Sequence, residues 1–311
     1  MIVTVTLNPA LDKTVTIPAF SVGGVNRIER IRLDPGGKGI NVSKVIAALG
    51  GRSIATGILG GAAGRYIKAC LDQTGIENDF VFVKEETRTN LKIIDPERMT
   101  NTDINEGGMM AKGRTMRRML DRLKARVSPG DTVVLAGKAP PGVSDEVYLD
   151  WGVQLKSLGA KVCMDADGPL LFHGIKAGPE IIKPNEEEFS RLVGKPLTAL
   201  EEIARAAVEL NRRGIGQIAV SMGAEGALFV KSGRVLHAQG LKVPVKSTVG
   251  AGDATMAALV LGNERGEPWE DTVRLAIAAG AASVMCEGTE AASAGVVQKL
   301  MQQVKMEEFT L

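Results

Sequence analysis

Apolar residues along this 311-residue chain follow two alternating rhythms. Short, nearly continuous apolar runs occur at Ile2–Leu7, Thr132–Ala136, Ala160–Asp165, Glu180–Lys183, Gln217–Ser221 and Ala227–Lys231. Such runs are what strands buried on both faces present. Between them, apolar positions recur at i, i+3, i+4, i+7, as on one face of a helix. Examples are Val42, Val45, Ile46 and Leu49, then Met116, Met119, Leu120 and Leu123, then Val273, Ala276, Ile277 and Gly280. This alternation predicts an α/β fold with a mostly parallel central sheet and helices on both faces. Two stretches, Thr14–Leu33 and Thr89–Asp103, are β-prone without a long helix between their pieces. They read as a small accessory sheet or as edge hairpins. Ligands of open α/β sheets bind beyond the carboxyl ends of the strands, so a small sheet there would serve as a lid. No repeat, low-complexity tract or long linker divides the chain.

Composition narrows the function classes. There are 37 glycines, about 12% against a usual ~7%, which calls for local backbone explanations. The net charge is +2, from 38 Lys and Arg against 36 Asp and Glu, and aromatics are 4%. That balance argues against a nucleic-acid partner, while leaving enough cations to converge on one small anion. No apolar run approaches the roughly 18 residues of a membrane span, and the first residues read as a strand rather than a signal peptide. Cys70, Cys163 and Cys286 are odd in number and far apart, which suits a reduced cytoplasm and forms no zinc pattern. His173 and His237 belong to no recognisable triad or metal motif and read as structural or surface residues.

The sharpest local feature is Ser247-Thr248-Val249-Gly250-Ala251-Gly252-Asp253, followed by Ala254, Ala257, Ala258 and Leu261 at helical spacing. Glycines that end where a helix begins leave free N–H groups beside the positive end of its dipole, an anion site. The plainer reading is a turn with Asp253 as a helix cap. A second cluster, Pro35-Gly36-Gly37-Lys38-Gly39-Ile40-Asn41-Val42, also opens a helix. It is either a tight loop with a solvated lysine or a loop pressed on a ligand, with Lys38 and Asn41 as donors. Asp12, after the first strand, is a turn residue or a holder of sugar hydroxyls. In Lys183-Pro184-Asn185-Glu186-Glu187-Glu188, Asn185 and Glu188 lie three apart on one helical face. That pair fits a capping box, or an acidic face that orders Mg²⁺ through water. There is no Walker motif and no Gly-x-Gly-x-x-Gly.

Taken together and in order, these segments resemble the PfkB (ribokinase-like) carbohydrate kinases. The resemblance also rests on Thr6 to Asp12, Thr87-Arg88-Thr89-Asn90 and Ser221-Met222-Gly223-Ala224-Glu225-Gly226-Ala227, and spans the chain. It implies one kinase domain over residues 1–311, a three-layer αβα fold with a lid from about 12–33 and 88–105. Asn8-Pro9 with Gly-Gly-Lys-Gly is similar to the phosphosugar branch, whose members act on ketohexose phosphates. Thr-Arg-Thr-Asn and the Gly23–Arg27 segment favour fructose 1-phosphate as acceptor over tagatose 6-phosphate and fructose 6-phosphate. The implied reaction is phosphoryl transfer from ATP with Mg²⁺.

The roles that follow are those the resemblance implies. Asp253 is the general base, and after the Gly250 turn the N–H groups of Ala251, Gly252 and Asp253 form an anion hole. Asp12, Gly36, Gly37 and Asn41 surround the sugar, and Arg27, Lys38, Arg88 and Lys138 grip its phosphate. Lys183, Asn185, Ser221, Gly223, Gly226 and Thr248 attend the nucleotide phosphates and ribose. Ile277, Ala281 and Cys286 lie against adenine, and Asn185 and Glu188 organise Mg²⁺ through water. Two positions depart from the family pattern: Lys138 stands where a serine is usual, and Asp165-Ala166-Asp167-Gly168 replaces Asp-x-Ser. A non-catalytic sugar-phosphate sensor would have lost Asp253 or its glycines, and an NAD-dependent oxidoreductase would need a glycine-rich turn where Asn8-Pro9-Ala10 stands. Exposed lid edges, which need covering, point to a homodimer through the lid.

Overall fold

The computed structural model describes residues 1–311. In chain order its strands are β1 (Ile2–Thr6), β2 (Ala10–Thr16), β3 (Arg30–Gly36), β4 (Ser53–Gly60), β5 (Glu77–Val83), β6 (Arg88–Asp95) and β7 (Thr100–Asn105). They continue as β8 (Thr132–Ala136), β9 (Lys161–Asp165), β10 (Ile181–Ile182), β11 (Gln217–Ser221), β12 (Ala227–Lys231), β13 (Arg234–Ala238) and β14 (Met306–Glu308). The helices are α1 (Lys38–Ala48), α2 (Gly61–Gln73), α3 (Gly113–Arg126), α4 (Val147–Ser157) and α5 (Gly168–Gly174). They continue as α6 (Glu186–Val193), α7 (Leu200–Arg212), α8 (Ala251–Arg265), α9 (Trp269–Val284) and α10 (Ala294–Met301).

Ten strands form one sheet in the order β14-β13-β12-β11-β10-β9-β8-β1-β4-β5. From β5 to β11 every pairing is parallel, and β12, β13 and β14 add an antiparallel flank. Helices α3 to α7 cover one face, through a core that includes Val3, Val5, Tyr148 and Phe189. Helices α1, α8, α9 and α10 cover the other, with Ile2, Val134 and Phe229 beneath them. Helix α8 is buried from Asp253 to Gly262 because α1 and α9 flank it over the sheet. The apolar runs of the sequence form β1, β8, β9, β10, β11 and β12 to within a residue or two. Two further parallel strands, β4 beside β1 and β5 at the sheet edge, carry no such signature. In β4, glycine, alanine and threonine are interspersed among the larger residues although every position is buried, and β5 opens on three polar residues.

The Thr14–Leu33 and Thr89–Asp103 stretches contribute to a separate four-stranded sheet, ordered β3-β2-β6-β7. Its register puts Asp12, Asp34, Arg88 and Asn90 on one face, and Val15, Ile31, Leu33, Leu91, Ile93 and Ile104 on the other. Only Val15, Ile17 and Ile93 form its buried core.

Candidate active site

Because the central strands run parallel, their carboxyl ends share one edge, and the polar residues of interest gather there. Strand β1 leads to Asn8, β8 to Lys138, β9 ends on Asp165, β10 leads to Lys183 and β11 ends on Ser221. Helices α1 and α8 start at the same edge with Lys38 and Ala251. Two devices bring them close. Gly37 has φ +119, outside the range of residues with a side chain, and a Cβ on Gly39 would lie 2.6 Å from Thr6 Oγ1. Thr6 Oγ1 instead accepts a hydrogen bond from the Ile40 amide at 3.1 Å, which seats the start of α1 on β1.

Four charged groups form the centre. Asp165 is 1% exposed, and Lys38 Nζ donates to its Oδ1 at 2.8 Å. Lys183 Nζ lies 3.5 Å from its Oδ2. The same Lys183 ammonium stands against the first turn of α8, where a Cβ on Gly252 would come within 2.9 Å of it. Asp253 is 7% exposed and its Oδ2 accepts from Asn41 Nδ2 at 2.8 Å. Burial, then the charge of Asp165, pushes the Asp253 carboxyl up to about 6, against Lys38, the Asn41 bond and Lys183. Burial alone would also lift Asp165 and lower Lys38. The two lysines nevertheless hold Asp165 below its ordinary value, and the carboxylates of Asp165 and Asp253 hold Lys38 above its own.

On the side of the small sheet, Asp12 Oδ1 accepts from Asn90 Nδ2 at 2.9 Å, and burial raises its carboxyl. Gly36 packs so closely on that carboxylate that a Cβ would overlap it. The Arg88 guanidinium donates to Asn8 O at 3.2 and 3.3 Å and to Glu106 O at 3.0 Å. Arg27 and Lys138 are exposed and have no side-chain partner. Lys138 follows the carboxyl end of β8, whereas Arg27 stands on the connection between β2 and β3.

On the other side, Asn185 Oδ1 accepts from Glu188 N at 2.8 Å, and Glu188 Oε2 accepts from Asn185 N at 2.9 Å. This reciprocal pair caps α6. Ser221 bridges to Asn185 in parallel, and Gly223 opens a short turn of 3₁₀ helix. Thr248 is exposed before α8, and Gly250, with φ +86, turns the chain into it. Ala281 and Cys286 are partly exposed, the Cys286 thiol raised by burial and by Glu290. Ile277 is 8% exposed and belongs to the core beneath α9, so its side chain packs the fold rather than facing an open surface. A Cβ on Gly226, which has φ +99, would overlap the Ala238 carbonyl, so the packing there also calls for glycine.

Two residues were not among those expected, Asp165 at the centre and Lys44 next to it, whose Nζ lies 3.4 Å from Asn41 Oδ1. Asp165 stood out in the sequence only as part of a departure from a pattern. Lys44 lies three residues after Asn41, one helical turn along the same face, and that spacing was its only signal.

The sequence profile of the pfkB family carbohydrate kinases matches residues 5–294. The chain belongs to that family. A 1-phosphofructokinase of Rhodobacter capsulatus is 38% identical over 278 residues, covering 89% of this chain and 88% of the relative. That of Vibrio cholerae is 35% identical, covering 98% and 96%. Phosphofructokinase-2 from Escherichia coli, in a crystal structure with substrates and products, has a TM-score of 0.93 at 30% identity, covering 97% of this chain and 98% of that one. As a pfkB carbohydrate kinase the chain transfers a phosphoryl group to an alcohol of a sugar substrate, and the family implies ATP as donor. No helix is long and apolar enough to cross a membrane.

Proposed function

We propose that this kinase phosphorylates fructose 1-phosphate to fructose 1,6-bisphosphate, using ATP and Mg²⁺ in the cytoplasm. The observation that carries the catalytic assignment is Asp253: a buried carboxylate in the first turn of α8, held on one oxygen by Asn41 and flanked by Lys38 and Lys183. The acceptor assignment rests on relatives named 1-phosphofructokinase that match nearly the whole chain.

Phosphoryl transfer asks a protein mainly for positioning and charge stabilisation. Asp253 Oδ2 is taken by Asn41, so Oδ1 accepts the proton of the attacking sugar hydroxyl. The amides of Ala251, Gly252 and Asp253 face the charge that builds on the transferring phosphoryl group. Lys38 and Lys183 are already gathered by Asp165 at this point, and they turn from it toward that charge. Asp12 and Asn90 hold sugar hydroxyls beneath the small sheet, which acts as the lid. Lys138, Arg27 and the donors Arg88 keeps free grip the acceptor's own phosphate.

For magnesium, the capping box leaves Glu188 Oε1 uncommitted near Lys38, while no group of three metal-ligating side chains is clustered anywhere. This fits an ion that keeps most of its waters and is held by one carboxylate together with substrate phosphates. Asn185 and Glu188 would hold it, and its contribution when bound is to neutralise charge on the β- and γ-phosphates.

The lid also supports the dimer. Ile31 is 55% exposed, Ile104 53% and Leu33 36%, and all lie on the sheet face turned away from Asp12. A second lid laid on this face would cover it. The acceptor assignment is tested by a panel of fructose 1-phosphate, tagatose 6-phosphate, fructose 6-phosphate and fructose at equal concentrations. The highest kcat/KM is expected for fructose 1-phosphate, and a higher value for any other acceptor overturns it.

A further inference from the structure

Lys44 is a partly buried lysine in the middle of α1, three residues after Asn41. All three of its donors are spent on separate segments: Thr289 Oγ1 at 2.9 Å, Pro35 O at 3.2 Å and Asn41 Oδ1 at 3.4 Å. Pro35 is the next-to-last residue of the lid strand β3, before Gly36, and Thr289, 7% exposed, belongs to the loop after α9. The ammonium therefore has no donor left for a substrate. Its consequence lies in Asn41. An amide can be turned over, exchanging oxygen and nitrogen, but here only one orientation works. The ammonium can only donate, so it claims Oδ1, and the ionised Asp253 can only accept, so it claims Nδ2. The reverse orientation would set NH₂ against NH₃⁺ and carbonyl against carboxylate.

We propose that Lys44 is a positioning residue for the base: by fixing the orientation of the Asn41 amide, it keeps one oxygen of Asp253 occupied and aims the other at the acceptor hydroxyl. This rests on Asp253 as the base. The charged groups involved come from every side. Asp165 from β9 and Lys183 beyond β10 face Asp253, together with Lys38 from α1, and Asp12, Asp34 and Arg32 from the small sheet face Lys44.

The test compares Lys44→Met, Lys44→Arg, Asn41→Leu and the Lys44→Met/Asn41→Leu pair, with Asp253→Asn as control. For Lys44→Met, kcat falls about tenfold or more while both KM values stay within about threefold. The acid limb of its kcat/KM profile moves up by about half a pH unit or more, because Asp253 loses a nearby cation and a fixed donor. Lys44→Arg recovers most of the activity, and adding Lys44→Met to Asn41→Leu costs little further. If the pH profile of Lys44→Met superimposes on the parent's and its effect multiplies fully with Asn41→Leu, Lys44 only ties the fold together and the proposal is overturned. A lowered melting temperature alone does not rescue it. If Asp253→Asn keeps activity within about threefold, the base assignment fails instead, and the two failures are distinct.

Discussion

A single carboxylate, Asp253, carries a cost in stability that the rest of the molecule absorbs. Its folded value of about 6, against an ordinary 3.8, arises first from burial and then from Asp165. A raised carboxyl binds its proton more tightly in the folded state, so the folded protein is favoured below about pH 4 and loses that advantage as pH rises through 6. The difference corresponds to about 3 kcal/mol at neutral pH. Asp253→Asn removes the buried charge and keeps an oxygen for the Asn41 donor. Its kcat is expected to fall by 10² to 10⁴. Its melting temperature at pH 7.5 is expected to rise above the parent's, with the gain shrinking toward pH 4. Thermal melts at the two pH values check this, and an equal or lower melting temperature at pH 7.5 counts against a buried, ionised Asp253. The same residue also shows what a sequence can and cannot convey. Its place after Gly250-Ala251-Gly252 is local and was readable, because a helix start that must bind an anion needs those glycines in order. Its partners are not local. Asn41 lies 212 positions away and meets it because α1 packs beside α8, and Lys38 meets Asp165 across 127 positions through the parallel order of β1, β8 and β9.

Helix α6 illustrates one motif with two uses. Asn185 and Glu188 were open to a capping reading and to a magnesium reading, and the observed reciprocal hydrogen bonds occupy one oxygen of each. The cap therefore does not exhaust the carboxylate. Glu188→Gln keeps a side-chain oxygen for the Asn185 amide but removes the charge, so the melting temperature is expected to stay within a degree or so while the Mg²⁺ concentration for half-maximal activity rises severalfold. Asn185→Ala instead loses the cap, at about 1 kcal/mol. If Glu188→Gln leaves the Mg²⁺ dependence unchanged, the residue is a cap alone. Elements whose signal was periodic, α1, α3, α8 and α9, were legible. Strands β4 and β5 were not, because at β4 close packing on β1 favours small residues, erasing the apolar run that marks its neighbours.

At the scale of the molecule, the two main cores on the large sheet and the small one under the lid differ greatly in extent. If paired lids make the dimer, Ile31→Glu is expected to yield a monomer in size-exclusion chromatography with light scattering. A parent protein that is already monomeric at working concentration defeats the idea. The unequal cores have a further consequence. A sheet held by Val15, Ile17 and Ile93 is the part most easily opened, and sites on it loosen before the rest. Asp12 and Asn90 are on that sheet, whereas Asp253, Lys183 and Ser221 are on the main body. If paired lids make the dimer, dilution as well as mild warming is therefore expected to weaken the hold on the sugar phosphate while leaving the hold on ATP intact. The enzyme would then sense its own concentration through one substrate and not the other.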